Sequence, residues 1–464
     1  MTLVAGVDSS TQSCKVLIVD SESGAIVRSG SAPHPGGTEV HPDAWWAAFR
    51  QAVEHAGGLR DVAALSVGGQ QHGMVVLDQR GNVIRPALLW NDTRSAQAAA
   101  DLRREFRDWA SVTGSLPLAS FTNTKLRWLA DAEPANADRM AAVALPHDWL
   151  TWRISGGNEL DSLTTDRSDA SGTGYYDAYR DEYRRDLLAL ALRRDADDIV
   201  LPRVLGPWES VAGQNLLLGP GAGDNAGAAL GVGLRPGETS ISLGTSGVVA
   251  AVSSQPIVDE SGEVNVFADA TGLWLPLTAT LNAARILDAV CRLLEVDHEE
   301  LSRLALSAAP GAEGLVLVPW FEGERTPNLP DATASFLGAT LGNLSRENMA
   351  RAAVEGLICL MGTGLAGIER LGLEITRVKL LGGAAKSHAV RSIAPAVLGV
   401  PVDVPAPAEY VALGAARQAA SCLSGREVIW PVHDQETFEA EPVPWVLDRY
   451  QELSGTVAVS MGWA

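Results

Sequence analysis

Two β-hairpin patterns about half a chain apart are the strongest constraint on the fold of this 464-residue chain. The first, LVAGVDSSTQSCKVLIVD (residues 3–20), has an apolar strand, a polar tip from Asp8 to Ser13, and a returning strand. The second, ETSISLGTSGVVAAVS (residues 238–253), repeats this plan around the turn Gly244–Gly247. Because one supersecondary unit recurs, we expect two halves of similar fold.

The boundary between the halves is predicted in GVGLRPGE (231–238), where glycine and proline cluster. This gives an N-terminal domain at residues 1–233 and a C-terminal domain at residues 234–464. A single hydrophobic core rarely serves more than about 250 to 300 residues, so the chain length also favours two domains.

Strands and helices alternate along both halves, and this alternation predicts an α/β protein. Helices are predicted at 42–56, 95–109, 346–371 and 387–398, and further strands at 62–69, 74–78, 315–320 and 378–383.

The formal charge of −20 argues against nucleic acid or an anionic membrane surface as a partner, because both require a basic face. No apolar run reaches the roughly 18 residues of a membrane span. The first residues lack the basic region and the cleavage site of a signal peptide. We therefore expect a cytoplasmic protein.

Four cysteines, Cys14, Cys291, Cys359 and Cys422, are scattered without the spacing of a zinc site or a disulfide framework. They are expected to be reduced and mostly buried.

Both hairpin tips are candidates for phosphate binding. In the first, Asp8 precedes the hydroxyl-rich turn SSTQS, and Lys15 lies on the returning strand. Turn N–H groups and hydroxyls can bind phosphate oxygens, and an aspartate can hold Mg²⁺ directly or through water. An ordinary Ser/Thr-rich turn with Asp8 as a local acceptor is the alternative for either hairpin alone. The presence of GTSG in the second hairpin favours the phosphate interpretation.

The run GPGAGDNAGAALGVG (219–233) places Asp224 and Asn225 among small residues. Near the start of a helix, Asp224 would be a favoured capping residue. In a loop that a ligand can approach closely, the same carboxylate could accept a proton from a hydroxyl that attacks a γ-phosphate. Both roles stay open at this point.

The stretch LLGGAAKS (380–387) predicts a strand that ends in small residues and opens into a helix. Glycines at such a turn allow close approach of a flat ligand such as a nucleoside. The same pattern is also a common packing device.

Taken together, these motifs resemble the FGGY carbohydrate kinases, a sugar-kinase branch of the actin-like ATPases, over nearly the whole chain. SFTNTKLRWL (120–129) is similar to the first family signature. ASFLGATLGNLSRENMARAAVE (334–355) is similar to the second, with Ala339 where a larger aliphatic residue is usual. GQQHG (69–73), WNDTR (90–94), DRSDASGT (166–173) and GERTP (323–327) resemble the branch that acts on D-xylulose.

The resemblance implies two actin-like (ribonuclease H-like) ATPase domains that flank a catalytic cleft. It also implies ATP-dependent, Mg²⁺-assisted phosphorylation of a ketopentose, with sugar bound by the first domain and ATP by the second.

The resemblance also implies a role for each matching residue. Asp224 is the expected general base, and Asp8 is expected to act through Mg²⁺. The expected sugar-binding residues are Gln71, His72, Trp90, Asp224 and Asn225. The expected ATP- and phosphate-binding residues are Thr11, Lys15, Thr245, Ser246, Gly382, Gly383 and Ala384. Alternatives stay open for His72 as a hydrogen-bonded turn residue, for Trp90 as a packing residue, and for Arg325 as either a loop anchor or a nucleotide contact.

Three positions depart from the usual family pattern. Ser10 replaces a glycine of the first turn, and Ala384 replaces the third glycine of the expected adenosine segment. Gln71 replaces a methionine of GQQHG (69–73), the segment called the sugar loop below because the resemblance implies that it binds the sugar. None of these changes removes an expected catalytic group.

Three other functions are compatible with parts of the pattern. The first is a kinase of another sugar or polyol, such as ribulose, gluconate or glycerol. The second is an actin-like ATPase without a metabolic substrate, and the third is a pseudokinase. The expected partners are a sugar and ATP only. A homodimer is compatible with the sequence.

Overall fold

The computed structural model describes residues 1–157, 159–431 and 435–463. Its strands are β1 (Leu3–Ser9), β2 (Ser13–Asp20), β3 (Ile26–Pro33), β4 (Glu39–Val40), β5 (Val62–Gly69), β6 (Val75–Leu77), β7 (Ala87–Leu88), β8 (Ala142–Ala144), β9 (Thr164–Asp166), β10 (Tyr176–Asp177), β11 (Glu182–Tyr183), β12 (Arg203–Leu205), β13 (Val211–Ala212), β14 (Leu217–Leu218), β15 (Ala222–Gly223), β16 (Glu238–Leu243), β17 (Gly247–Ala251), β18 (Asn265–Ala268), β19 (Trp274–Thr280), β20 (Val316–Val318), β21 (Ser335–Leu337), β22 (Arg377–Leu381), β23 (Val402–Pro405) and β24 (Gln435–Phe438).

Its α-helices are α1 (Pro42–His55), α2 (Ala96–Glu105), α3 (Trp109–Thr113), α4 (Thr122–Ala132), α5 (Pro134–Asp138), α6 (Pro146–Ser155), α7 (Arg167–Ala170), α8 (Arg185–Leu192), α9 (Asp224–Val232), α10 (Ala284–Leu294), α11 (His298–Ser307), α12 (Arg346–Glu369), α13 (His388–Leu398), α14 (Tyr410–Ser424) and α15 (Pro444–Ser460).

The first large sheet is built around the first hairpin. Its strand order is β13-β14-β5-β1-β2-β3, and β15 also pairs with β5. Strands β1, β2 and β3 form an antiparallel meander, whereas β5 runs parallel to β1, and β15 runs parallel to β5. The hairpin therefore joins an antiparallel edge to a parallel region.

The second large sheet repeats this plan. Its order is β18-β19-β17-β16-β22-β23-β24. Strands β16, β17 and β19 form the antiparallel meander, and β22 runs parallel to β16 as β5 does to β1. The α/β class and the likeness of the two halves are thus confirmed.

Three local predictions needed correction. Asp8 and Ser9 belong to β1 and Ser13 to β2, so the tip of the first hairpin is shorter than the pattern suggested. The helix predicted at 95–109 is two helices, because the chain is extended at Phe106 after α2. A short 3₁₀ turn, Gly383–Lys386, separates β22 from α13.

Helix α14 comes from the second half of the sequence but packs on the first sheet, against β1, β5 and α9. The contact is close because glycines lie on both sides of it. A Cβ atom at Gly414 would overlap the carbonyl oxygen of Gly227, and one at Gly6 would overlap that of Ala412. A helix from the second half of the sequence is therefore part of the packing of the first sheet. The domain boundary at 233/234 stays a prediction.

Helix α12 is the central helix of the second half. Among the described residues, it alone has the length and hydropathy of a membrane span, with 83% of its apolar window buried in the protein. Such burial is typical of a core helix. All four cysteines are free and buried, as predicted.

We expect Gly414→Ala to lower the free energy of unfolding by about 1–3 kcal/mol, because the added methyl group has no space between α14 and α9. Urea unfolding measures the change. Gly455→Ala is the matched control, since a Cβ atom there meets nothing within 4 Å and alanine favours a helix. Equal effects of the two substitutions would contradict the close-packing interpretation.

Candidate active site

The candidate catalytic residues of the first half meet at one edge of its sheet. Asp8 of β1 pairs with Gly68 of β5, which in turn pairs with Ala222 of β15. Neighbouring strands lie about 4.8 Å apart, so two strand spacings separate Asp8 from the backbone that leads into Asp224. The loop with Gln71 follows β5 at the same edge. Ligands in α/β proteins bind at this carboxyl edge of parallel strands.

Asp224 is the first residue of α9, and Gly223 occupies the capping position. The capping alternative is therefore wrong, because the side chain of Asp224 does not occupy the cap position. Its Oδ1 instead accepts hydrogen bonds from the backbone N–H of Asn225 (2.8 Å) and from Nδ2 of Asn225 (3.1 Å). Burial, together with the negative charge of Asp8, raises the pKa of Asp224 to about 7.

Asp8 is nearly buried, with 5% of its surface exposed. Burial raises its pKa to about 7, an effect that Lys15 opposes and Glu409 reinforces. The Nζ of Lys15 lies 4.0 Å from Oδ2 of Asp8 and 2.5 Å from Oε2 of Glu409. Within the described residues, Oδ1 of Asp8 is buried and has no hydrogen-bond partner. This oxygen is therefore available to an added cation.

Thr11 and Trp90, which were predicted for different ligands, contact each other. The indole N–H of Trp90 donates a hydrogen bond of 2.9 Å to the hydroxyl of Thr11. The loop with the WNDTR motif is thereby tied to the turn of the first hairpin.

The imidazole of His72 is held in one tautomer. Its Nδ1–H donates to the carbonyl oxygen of Gly172 at 2.8 Å, because a carbonyl can only accept. The ring stacks on Phe121 with 4.6 Å between centroids. Burial and the positive charges of Lys125 and Arg325 lower the pKa of His72 to about 3. His72 is thus neutral, and its Nε2 is a hydrogen-bond acceptor.

Gln71 and Asn225 are also joined. Oε1 of Gln71 accepts a hydrogen bond of 3.0 Å from Nδ2 of Asn225. Because Nδ2 of Asn225 also donates to Asp224, one polar chain connects the sugar loop to the catalytic candidate. Glutamine in place of the usual methionine makes this connection.

The candidate ATP residues lie at the corresponding edge of the second sheet. The turn with Thr245 and Ser246 follows β16, and Gly382 follows β22, which is parallel to β16. Both Thr245 and Ser246 are exposed. Gly383 and Ala384 line a cavity of about 640 Å³, together with residues of α10 and α11.

Some contacts of the site were absent from the sequence predictions. Phe121 and Gly172, which hold His72, lie inside motifs that the sequence displays, so a local signal existed. Glu409 pairs with Lys15 from 394 positions away and has no such signal. Arg325, which the sequence left open, lies close enough for its charge to lower the pKa of His72.

Comparison with known proteins gives a consistent result. Residues 3–216 match the N-terminal domain of the FGGY family of carbohydrate kinases, and residues 239–423 match its C-terminal domain. The chain is 43% identical to a xylulose kinase of Streptomyces coelicolor over 92% of this chain and 89% of that protein. It is 51% identical to the solved xylulose kinase from Bifidobacterium adolescentis, with a TM-score of 0.93, over 98% of this chain and 99% of the other. A gluconate kinase from Lactobacillus acidophilus, at 20% identity and a TM-score of 0.86 over 99% of this chain and 98% of that chain, shares the fold.

We expect Asp224→Asn to stabilise the protein more at about pH 8 than at about pH 5. The folded-state pKa of about 7 lies above the roughly 3.9 of an unfolded aspartate, so the parent loses stability as the pH rises between these values. Asparagine does not ionise, so the gain in free energy of unfolding of Asp224→Asn over the parent should be about 1–2 kcal/mol larger at the higher pH. This figure allows for solvent screening at the half-buried carboxylate.

Urea unfolding in a buffer with a metal chelator, at both pH values, measures this difference. Asp61→Asn is the matched control, because a hydrogen bond from Arg28 lowers the pKa of Asp61. An advantage of Asp224→Asn that is the same at both pH values would contradict the raised pKa.

Proposed function

The chain belongs to the FGGY family of carbohydrate kinases, and from this premise we propose that it transfers the γ-phosphoryl group of ATP to D-xylulose, giving D-xylulose 5-phosphate. Relatives named xylulose kinase are 41–43% identical to most of the chain. The observation that carries the proposal is the Asp224 carboxylate, which has a raised pKa at the edge of the sheet where the sugar loop also lies.

Asp224 is proposed as the general base. A base is most effective when its pKa lies close to the working pH, and the pKa of Asp224 is about 7. Its Oδ1 is occupied by Asn225, which orients the carboxylate, and its second oxygen is left to accept the proton of the sugar hydroxyl.

The sugar would be bound by three side chains of complementary polarity. The Nε2 of neutral His72 accepts a hydrogen bond from a sugar hydroxyl, since Nδ1–H is occupied by Gly172. The Nε2 of Gln71 can donate, because its Oε1 is taken by Asn225. Trp90 is held by its hydrogen bond to Thr11, which joins the WNDTR segment to the turn of the first hairpin.

Asp8 is proposed as the ligand of Mg²⁺, directly or through water. Its Oδ1 is a buried carboxylate oxygen without a partner among the described residues, and hard cations prefer such ligands. When bound, Mg²⁺ supplies positive charge that offsets the charge developing on the phosphate oxygens. Lys15, beside Asp8, contributes a further positive charge at the same turn.

ATP would bind along the second sheet. The exposed hydroxyls of Thr245 and Ser246 suit the phosphates, and the cavity of about 640 Å³ beside Gly383 and Ala384 suits the adenosine. Gly382, at a φ of 91°, lets the chain turn into this cavity wall. We infer a cytoplasmic enzyme, because ATP is available there.

Asp224→Asn should lower kcat with D-xylulose by about 10²- to 10⁴-fold, because the variant cannot accept the proton of the attacking hydroxyl. The KM for the sugar should change little, since the amide keeps the size and most hydrogen bonds of the carboxylate. Steady-state ADP formation measures both constants, and the surface variant Asp61→Asn is the control. Turnover near the parental value in Asp224→Asn would refute the base assignment.

D-xylulose should give a kcat/KM at least about tenfold above those of D-ribulose, D-gluconate and glycerol, because polar groups left unpaired at the sugar loop penalise a poorly matched substrate. A coupled assay of ADP release across these four compounds makes the comparison. A higher value for another compound would replace the proposed substrate. ATP hydrolysis that is indifferent to all four would instead favour a non-metabolic ATPase.

A further inference from the structure

A cluster of charged side chains lies buried beneath the loop that leads to Asp224, and the proposed reaction does not use it. His147 and Asp148 come from the first turn of α6, Asp166 ends β9, and Asp169 lies on α7. All four side chains are almost completely buried, between 0% and 3% exposed. Charges are rarely placed in a protein interior without a partner or a role, because burial of an ion is costly.

Both ring nitrogens of His147 face acceptors. Nδ1 lies 2.7 Å from Oδ2 of Asp169, and Nε2 lies 3.3 Å from the carbonyl oxygen of Pro220. Nε2 also lies 3.3 Å from Oδ1 of Asp148 and 3.8 Å from Oδ1 of Asp166. An imidazole can satisfy acceptors on both sides only when both nitrogens carry a proton. His147 is therefore an imidazolium among three carboxyl groups.

The electrostatic environment agrees with this protonation state. Burial alone would lower the pKa of His147, but Asp148, Asp169 and Asp166 outweigh it and raise the pKa to about 10. Burial raises the pKa of Asp169 to about 6, the imidazole opposes that rise, and the charge of Asp224 adds to it. The cluster and the catalytic carboxylate thus lie within electrostatic range of each other.

The loop at residues 219–223 is held at several points by His147 of the cluster and by neighbouring side chains. Pro220 accepts from His147, and the N–H of Gly223 donates to the hydroxyl of Ser168 at 3.1 Å. Ser168 lies on α7, whose first N–H groups are capped by Asp166. Gln418 of α14 holds Gly221 through bonds of 3.1 and 2.8 Å.

The loop also lies directly against the imidazole ring. Gly221 has a φ of 88°, and a Cβ atom at this residue would overlap Cδ2 of His147. The ring and the backbone of Gly221 are therefore closely packed, so a shift of the ring shifts the loop. The loop ends with the two residues of β15, and Asp224 follows directly, so a shift of the loop moves Asp224 as well.

We propose that His147 is a positioning residue for the base: bonded to Asp169 on one side and to Pro220 on the other, its cationic ring fixes the loop that carries Asp224. The inference rests on the proposed function, in which Asp224 takes the proton. His147 is 0% exposed, so we expect it to contact neither substrate and the effect of its loss to fall on kcat.

Two substitutions of His147 distinguish the effect of its positive charge from the effect of its size. His147→Gln removes the cation and keeps a donor, whereas His147→Lys keeps a cation with several donors. We expect His147→Gln to lower kcat by about 10- to 100-fold, since a displacement of about 1 Å at a catalytic group can cost this much. The KM for D-xylulose should stay within about threefold, and His147→Lys should recover most of the lost kcat.

Trp149→Phe is the matched control for stability. Trp149 lies on the same helix, is 1% exposed, and belongs to the core of the first half rather than to the loop contacts. It should lower the melting temperature and leave kcat within about twofold of the parent. A fall of kcat in Trp149→Phe equal to that in His147→Gln would overturn the proposal, as would a parental kcat in His147→Gln or no recovery in His147→Lys.

Two further measurements cover the case in which His147→Gln does not fold. Ser168→Ala removes the bond to Gly223 and should lower kcat by about tenfold with little change of KM; an unchanged kcat would overturn the proposal. ¹⁵N NMR of histidine-labelled parent protein at about pH 8 should show both ring nitrogens of His147 protonated, since its pKa is about 10. A neutral ring would overturn the proposal.

The parallel assay of Asp224→Asn distinguishes a failure of the proposed base from a failure of the positioning role of His147. Active Asp224→Asn refutes the proposed base itself. Inactive Asp224→Asn together with fully active His147→Gln leaves the base in place and refutes only the positioning role.

Discussion

The parallel pairing of β1, β5 and β15 is the constraint on which the rest of the site depends. Three chain segments far apart in sequence end at one edge of the sheet, because Asp8, Gly68 and Ala222 are in register. A polar group lies at the carboxyl end of each strand: Asp8 in β1, the sugar loop after β5, and Asp224 after β15. The second sheet repeats the arrangement with β16 and β22, and there it presents small residues instead of acids.

The electrostatics of the site follow from this geometry. Burial raises the pKa values of Asp8 and Asp224 to about 7, and the charge of Asp8 adds to the shift of Asp224. Such raised values cost folding stability at neutral pH, and a carboxylate with a pKa of about 7, as proposed for Asp224, suits a general base near that pH. The imidazolium of His147 has the opposite balance, because three carboxyl groups surround it. The loop that leads to Asp224 thus contacts the His147 cation at Pro220 and ends at the Asp224 carboxylate.

Short-range features of the site were predictable, and long-range ones were not. The two hairpins, the sugar loop and the glycine-rich run around Asp224 each have a local pattern, and the structure places all of them at sheet edges. The capping role of Asp224 was wrong because Gly223 occupies that position. The bond between Trp90 and Thr11, the pair of Lys15 with Glu409, and the contact of His147 with Pro220 join segments with no shared pattern.

The sequence by itself determined which residue types are present at each turn, the recurrence of the hairpin, and the α/β alternation, because these depend on local periodicity and turn chemistry. Only the tertiary structure decided their protonation states and their relative placement. A pKa depends on burial and on charges brought from elsewhere in the chain, as Asp169 and Asp148 act on His147. Likewise, α14 of the second half lies on the first sheet because glycines on both surfaces allow the close approach, and a pattern along the chain does not record which surfaces meet.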